Sequence, residues 1–356
     1  MKFKFGVTPT YRSKTSTDDI MRDLFIALMF VTICSIVLQY SLYGVEGAIR
    51  GALLTIAAVA TCYITDFLYF KALKTKKEEF KEKVNQNVPA ITGIILALTM
   101  PLGDLGSYQI IYVTIISAIV AELIGKLIFG GFGYNIFNPA GVGRAFALLA
   151  FGPVLIIPNI DGLSAATVLG SMSSAEGMDA ITKTFNDYSS LLFGAHKGTV
   201  GETMVIPIVL AGIYLVWKKV IDWVIPVVAM LAIFVFSLTT IYMNGYGLEY
   251  AFIQLFSGGL VFGAVFMLTD PVTNPNNRQG KIIFAITFAL LTYLIRVNAS
   301  LPEGVVFAIL LCNMLVPMID KLTANVTNTD TNKKLISVGV FSAFAIVLSI
   351  IFQLIK

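Results

Sequence analysis

Residues able to do chemistry are few in this sequence, and most gather in three short polar stretches. The first is Gly130-Gly131-Phe132-Gly133-Tyr134-Asn135-Ile136-Phe137-Asn138-Pro139. Its glycines permit close backbone approach, and its two amides can donate to and accept from a planar heterocycle or a carbonyl-rich ligand. A helix-breaking turn with asparagine caps is the plainer reading of the same residues. It is not a phosphate loop, because no Gly-Lys-Ser/Thr follows. The second, Thr269-Asp270-Pro271-Val272-Thr273-Asn274-Pro275, puts the ionisable Asp270 and the Thr273 hydroxyl at the end of an apolar segment. Such a residue marks a functional site, with a capping carboxylate as the alternative. The third, Asp161-Gly162-Leu163-Ser164-Ala165-Ala166-Thr167, surrounds the Thr167 hydroxyl with small residues, which either leaves the oxygen open to modification or simply makes a turn. Asp66, Glu122 and Lys126 also fall inside apolar segments. Glu122 and Lys126, four apart, should pair on one helix face. Asp66 reads as a carboxylate snorkelling to the interface, with an ion-path role as the alternative.

The elements that position these groups must lie in a membrane. Of 356 residues, 57% are hydrophobic and 13% charged, about half the charge of a soluble domain. Mean hydropathy is +0.83, and the apolar blocks have the length that crosses about 30 Å of hydrocarbon. We expect an all-α polytopic protein with spans near 20–40, 48–70, 88–100, 107–129, 140–157, 203–217, 221–242, 251–269, 281–297, 302–320 and 335–355. The net charge of +4 comes from lysines at segment ends and implies no nucleic-acid partner. Cys34, Cys62 and Cys312 lie singly in apolar segments and the only histidine, His196, lies in a polar loop. No metal site is expected from them. The first segment has no small-x-small cleavage site after it and is read as a retained helix.

Charge sets the orientation. The N-terminal arm, six lysines between Lys71 and Lys83, Arg144, Lys218-Lys219, Arg278 with Lys281, and Lys321 with Lys333-Lys334 all fall on one side. By the positive-inside rule the N-terminus is cytoplasmic and the Thr167 loop extracytoplasmic. Arg296 is the exception. Leu98-Thr99-Met100-Pro101 and Leu268-Thr269-Asp270-Pro271 end the third and eighth segments, and Pro139 and Pro302 open the fifth and tenth. Two copies of five spans make an inverted repeat, a design that sets sites at broken helices near the midplane. The expected division is an arm at 1–19, a first repeat at 20–158 and an outer loop at 159–201. A second repeat at 202–322 and a linker with an appended helix at 323–356 complete it.

Beyond this, the sequence resembles the D subunits of Rnf ferredoxin:NAD oxidoreductases and, more distantly, the B subunit of sodium-pumping NADH:quinone oxidoreductase. The resemblance rests on Arg12-Ser13-Lys14-Thr15-Ser16-Thr17-Asp18-Asp19-Ile20-Met21-Arg22-Asp23, Ile95 to Pro101, Asn135 to Ala140, and Phe262 to Val272. It implies that Thr167, the last residue of Ser164-Ala165-Ala166-Thr167 and preceded by Asp161, carries FMN esterified through its phosphate by a separate flavin transferase. Ala165 stands where the family motif has glycine, which restricts positive φ there. A second, non-covalent flavin, riboflavin, is implied in the membrane domain, and we assign its lining to Asn135, Asn138, Asp270 and Thr273. Asp66 and Asp270 are the ion-path candidates.

The resemblance further implies a bacterial inner-membrane complex that couples electron flow between ferredoxin and NAD to Na⁺ or H⁺ movement. Its partners would be an FMN-bearing G-type subunit, a ferredoxin-facing subunit and an NADH-facing subunit, besides membrane lipid. This chain has no NAD fingerprint and no cysteine cluster, so that chemistry falls to the partners. The competing readings are an inverted-repeat channel or secondary transporter, and a scaffold that only docks redox partners.

Overall fold

The computed structural model describes residues 16–75, 77–155, 192–194, 198–298, 304–324 and 331–355. Helix α1 (Thr17–Ala72) opens on a capping box: the Ser16 hydroxyl accepts the Asp19 N–H at 3.1 Å, and the Asp19 carboxylate accepts the Ser16 N–H at 3.1 Å. The helix does not run straight. Gly44, at φ 68° and ψ −158°, breaks it into arms of 27 residues (17 to 43) and 28 residues (45 to 72). A Cβ at Gly47 would lie 2.8 Å from Gln39 O, whereas a straight helix separates residues 39 and 47 by about 12 Å. The expected outer loop at 44–46 is thus a single glycine turn, and the two arms are the first two expected segments.

Next come α2 (Lys77–Gln86), α3 (Pro89–Thr99), α4 (Gln109–Leu123) and α5 (Pro139–Phe151). Beyond the outer loop follow α6 (Val205–Trp217), α7 (Val224–Asn244), α8 (Glu249–Phe256) and α9 (Leu260–Phe262), which runs into a π-turn at Gly263–Met267. The last helices are α10 (Arg278–Asn298), α11 (Gly304–Thr323) and α12 (Thr331–Ile355). Among the described residues, five helices are each long and apolar enough to cross a membrane, and the bent pair Glu249–Phe256 and Leu260–Met267 makes a sixth. Four more apolar helices of 10–17 residues accompany them. This is a multi-pass membrane protein.

Two short elements occupy the centre. Every residue of α3 is buried, as is every residue of Gly263–Met267. The longer helices wrap them and turn side chains such as Ile33, Val37, Ile213 and Leu231 outward, as a lipid-facing surface requires. At 11 residues, α3 is only about 16 Å long and stops where Met100 turns extended before Pro101. Its open carbonyls are met by chain returning from the outer loop: Gly201 N–H donates to Leu98 O at 2.8 Å and Val200 N–H to Met100 O at 2.9 Å. Val200 O in turn accepts from Gln39 Nε2 at 3.2 Å and from the Ser35 hydroxyl.

The expected segment 251–269 is not one helix. It breaks at Gly258 and Gly259, both at positive φ (63° and 69°), and bends by 54°. Arg296 explains why the break survives burial. Its guanidinium donates to Gln254 O at 2.6 Å, Ser257 O at 3.0 Å and Gly258 O at 3.1 Å. The cation that stood out as an exception to the charge pattern is an internal clamp, 7% exposed.

Candidate functional site

The amide loop and the Thr-Asp-Pro turn, which lie about 130 residues apart in the chain, meet at one cavity. Asn135, Asn138 and Asp270 line it together with Lys126, Phe132 and Phe266. The empty space, open mouth included, is about 660 Å³. The start of α1 closes one side through Ile20, Met21 and Leu24, a contribution from the N-terminal segment that sequence reasoning did not foresee.

The lining residues are not equivalent. Asn138 is the N-cap of α5: its Oδ1 accepts the Gly141 N–H at 3.1 Å, ahead of a proline at the first helical position. Its Nδ2 donates to Met267 O at 3.2 Å, so both ends of this amide hold the frame. Asn135 uses only its Nδ2, which donates to Phe137 O at 3.0 Å. Its Oδ1 is buried with no partner and is the acceptor left for a guest. Asp270 caps its own turn, accepting the Val272 N–H at 3.1 Å and the Thr273 hydroxyl at 3.3 Å. Thr273 does not reach the cavity wall; it stands behind Asp270. Asn313, missed in the sequence, ties the two polar stretches together. Its Oδ1 accepts the Asn138 N–H at 3.0 Å and its Nδ2 donates to Thr273 O at 3.1 Å.

Behind Lys126 lies a buried charge cluster. Lys126 Nζ donates to Glu122 Oε1 at 2.6 Å, Asn87 O at 2.8 Å and Thr92 Oγ1 at 3.0 Å. The expected Glu122–Lys126 pair is present but is part of a larger network. Asn87 Nδ2 bridges two carboxylates, Asp66 Oδ2 at 2.7 Å and Glu122 Oε1 at 3.1 Å, while its Oδ1 accepts the Phe132 N–H at 2.7 Å. Asp66 and Glu122 are both 0% exposed. Asp66 therefore does not snorkel to the interface; that expectation is corrected by the way α1, α3 and α4 close over it. Two carboxylates and one ammonium leave a formal charge of −1, and Asp66 Oδ1 and Glu122 Oε2 have no hydrogen-bond partner. Arg144, expected among the cytoplasmic charges, is likewise buried, 1% exposed inside α5. Asn87 had one signal in the sequence: a polar residue two places before the proline that opens a short apolar helix.

Asp161, Ser164 and Thr167 lie outside the described residues, as does His196. Among the described residues no group of His, Cys, Asp and Glu could hold a metal ion, and the three cysteines are free.

Similarity to known proteins runs through almost the whole chain. The family model described as NQR2, RnfD, RnfE matches residues 5–328. The D subunit of the proton-translocating ferredoxin:NAD(+) oxidoreductase complex of Clostridium ljungdahlii is 33% identical over 90% of this chain and 94% of its own length. The Na(+)-translocating counterpart of Acetobacterium woodii is 31% identical over 89% of this chain and 92% of its own. The D subunit of an ion-translocating oxidoreductase complex of Haemophilus influenzae is 31% identical, covering 90% and 96%.

Proposed function

Because this chain belongs to the NQR2, RnfD, RnfE family, we propose that it is the D-type membrane subunit of an ion-translocating ferredoxin:NAD oxidoreductase complex. Electrons would pass through flavins held by this chain, and Na⁺ or H⁺ movement would be coupled to that passage. The observation that carries this reading is the junction of one cavity with one buried charge cluster: Lys126 and Thr92 belong to both.

Riboflavin is the proposed guest of the cavity, and the donor set fits it. Asn135 Oδ1 offers an unpaired acceptor to a ring N–H, Lys126 and Thr92 supply polar edges, and Phe132 and Phe266 supply flat apolar walls. Asn138, Asn313 and Thr273 hold these walls in place. FMN is proposed on Thr167, supported by the resemblance of the Ser164–Thr167 stretch. Bound flavins supply the electron-transfer chemistry, while the chain sets position, dielectric and ion access. Asp66, with Glu122, is the proposed ion contact, since one added proton or Na⁺ neutralises the cluster and meets its two unpartnered oxygens. Asp270 is a second contact, at the cavity side.

An inverted repeat is supported by packing. The second arm of α1 packs on α4, and α4 on α5; in the second half α7 packs on α10, and α10 on α11. In that reading the Leu260–Met267 element would be the counterpart of α3, and both are fully buried. The N-terminus and the cavity would face the cytoplasm of a bacterial cell and the Thr167 loop the outside. The ferredoxin-facing, NADH-facing and G-type subunits and a flavin transferase would be its partners.

The test is a denaturing gel under ultraviolet light, wild type beside Thr167→Ala, from cells with the flavin transferase. A fluorescent band that the substitution abolishes is expected. No band in the wild type, or one that survives, refutes FMN on Thr167 and leaves the channel or transporter reading standing. Acid extraction of the native complex should release riboflavin, and less of it from Asn135→Ala; its absence removes the inner-pocket proposal.

A further inference from the structure

A second recess, between the second arm of α1 and α2, belongs to neither the cavity nor the charge cluster. Tyr63, Ile64 and Phe67 form one wall and Phe80, Val84 and Asn85 the other. The walls approach at one place, where the Phe67 and Phe80 rings meet edge to face with centroids 5.2 Å apart. Its empty space, mouth included, is about 690 Å³, and its lining is almost entirely apolar. Ile64 is 57% exposed and Phe67 48%, so the described residues do not cover the slot. The rim is cationic. Lys71 stands over the Phe67 ring at 5.9 Å, and Lys74 is exposed just past the end of α1. Between 71 and 83 the sequence has six lysines against three glutamates.

An apolar slot beneath a cationic rim asks for a ligand that is apolar along its length and anionic at one end. The touching Phe67 and Phe80 rings close the slot at one point; an extended hydrocarbon chain, much narrower than a partner helix of about 10–12 Å with its side chains, can lie in the space beside them. A zwitterionic lipid would fill the slot but bring a second cation to the lysines. Lysine clusters directly beyond a transmembrane helix attract anionic headgroups at about 1 kcal/mol per residue. We propose that this recess binds an anionic phospholipid, with one acyl chain between Ile64 and Val84 and the phosphate at Lys71 and Lys74. The proposal needs only that α1 crosses the membrane, so it stands or falls separately from the flavin reading.

The test is native mass spectrometry of the delipidated intact complex, titrated with phosphatidylglycerol and, separately, with phosphatidylcholine. Wild type should bind phosphatidylglycerol preferentially. Lys71→Gln with Lys74→Gln should weaken that binding about 30-fold and leave phosphatidylcholine unchanged. Ile64→Trp, which fills the slot, should weaken both. Equal affinity for the two lipids in the wild type, or phosphatidylglycerol binding untouched by the double lysine substitution, would overturn the assignment. A photo-crosslinker placed at Val84 in native membranes provides a second readout. Phospholipid adducts are expected there, and adducts to another protein subunit in their place would refute the lipid.

Discussion

Lys126→Met tests the buried cluster most directly. Lysine and methionine fill a similar slot, so the substitution removes one charge and three donated hydrogen bonds while leaving little void. In the native protein Lys126 Nζ serves Glu122, Asn87 O and Thr92 at 2.6, 2.8 and 3.0 Å, with a side chain 3% exposed. Without it, Asp66 and Glu122 share Asn87 Nδ2 with no cation beside them. Removing one member of a buried ion pair costs about 3–5 kcal/mol. At about 2 °C per kcal/mol for a chain of this size, Tm should fall by roughly 6–10 °C. The control is Lys126→Met with Glu122→Gln, which removes both charges together; replacing a whole buried pair is close to neutral. The double variant should therefore recover at least half of the loss. Thermal unfolding of the detergent-solubilised protein, followed by fluorescence-detected size exclusion, gives both numbers. A single variant within about 1 kcal/mol of wild type would refute the cluster, as would a double variant that loses the plain sum of the two single effects.

Three further outcomes follow from particular contacts. Gly259→Ala should lower Tm, because φ is +69° and the new Cβ would lie 2.6–2.8 Å from the Glu202 carboxylate; the backbone alone costs about 1–2 kcal/mol, and adding Glu202→Ala should relieve the rest. Asn313→Leu removes an acceptor from the Asn138 N–H and a donor from Thr273 O in a site 1% exposed. It should cost about 2–3 kcal/mol in the same unfolding assay. Partial burial pushes the Asp222 carboxyl up, but the Val224 N–H, the Lys281 ammonium at 3.0 Å and nearby Arg278 outweigh it and hold the group below its ordinary value. A lowered folded value means stability present above the unfolded pKa and lost as pH falls through the folded one. Wild type should therefore lose more stability on acidification below about pH 4 than Asp222→Asn, measured as the difference between their Tm-against-pH curves.

The helical frame was legible because apolar length is a strong signal: each of the eleven expected segments coincides with a helix, a helix arm or the bent pair. The meeting of the Asn135 loop with the Asp270 turn was legible too, since both were placed on one side by charge. What escaped was anything set by tertiary contact. Arg144 read as a topology charge and Arg296 as the exception to that pattern, yet both are interior; at Arg296 the backbone carbonyls of a helix break supply the acceptors. Asp66 read as a surface carboxylate because its partner, Asn87, lies 21 residues away in a segment with no periodicity to announce it. The break at Gly258-Gly259 hid inside a segment apolar enough on both sides, despite Gln254 and Ser257, to read as one span by hydropathy.

Those breaks also account for the route of the chain after the outer loop. A carbonyl left open inside hydrocarbon costs several kcal/mol, so a helix that stops at mid-depth must find donors there. Water and lipid tails cannot supply them. At the first break the donors are the backbone N–H groups of Val200 and Gly201; at the second they are the guanidinium of Arg296. The same returning strap reaches both. Thr199 and Glu202 are joined at 2.7 Å, and the Glu202 carboxylate sits where a Cβ on Gly259 would be. Residues 198–202 are therefore part of the core rather than a free connection. The loop carrying Thr167 is rooted at its C-terminal end in both helix breaks, and a change in either break acts directly on that root.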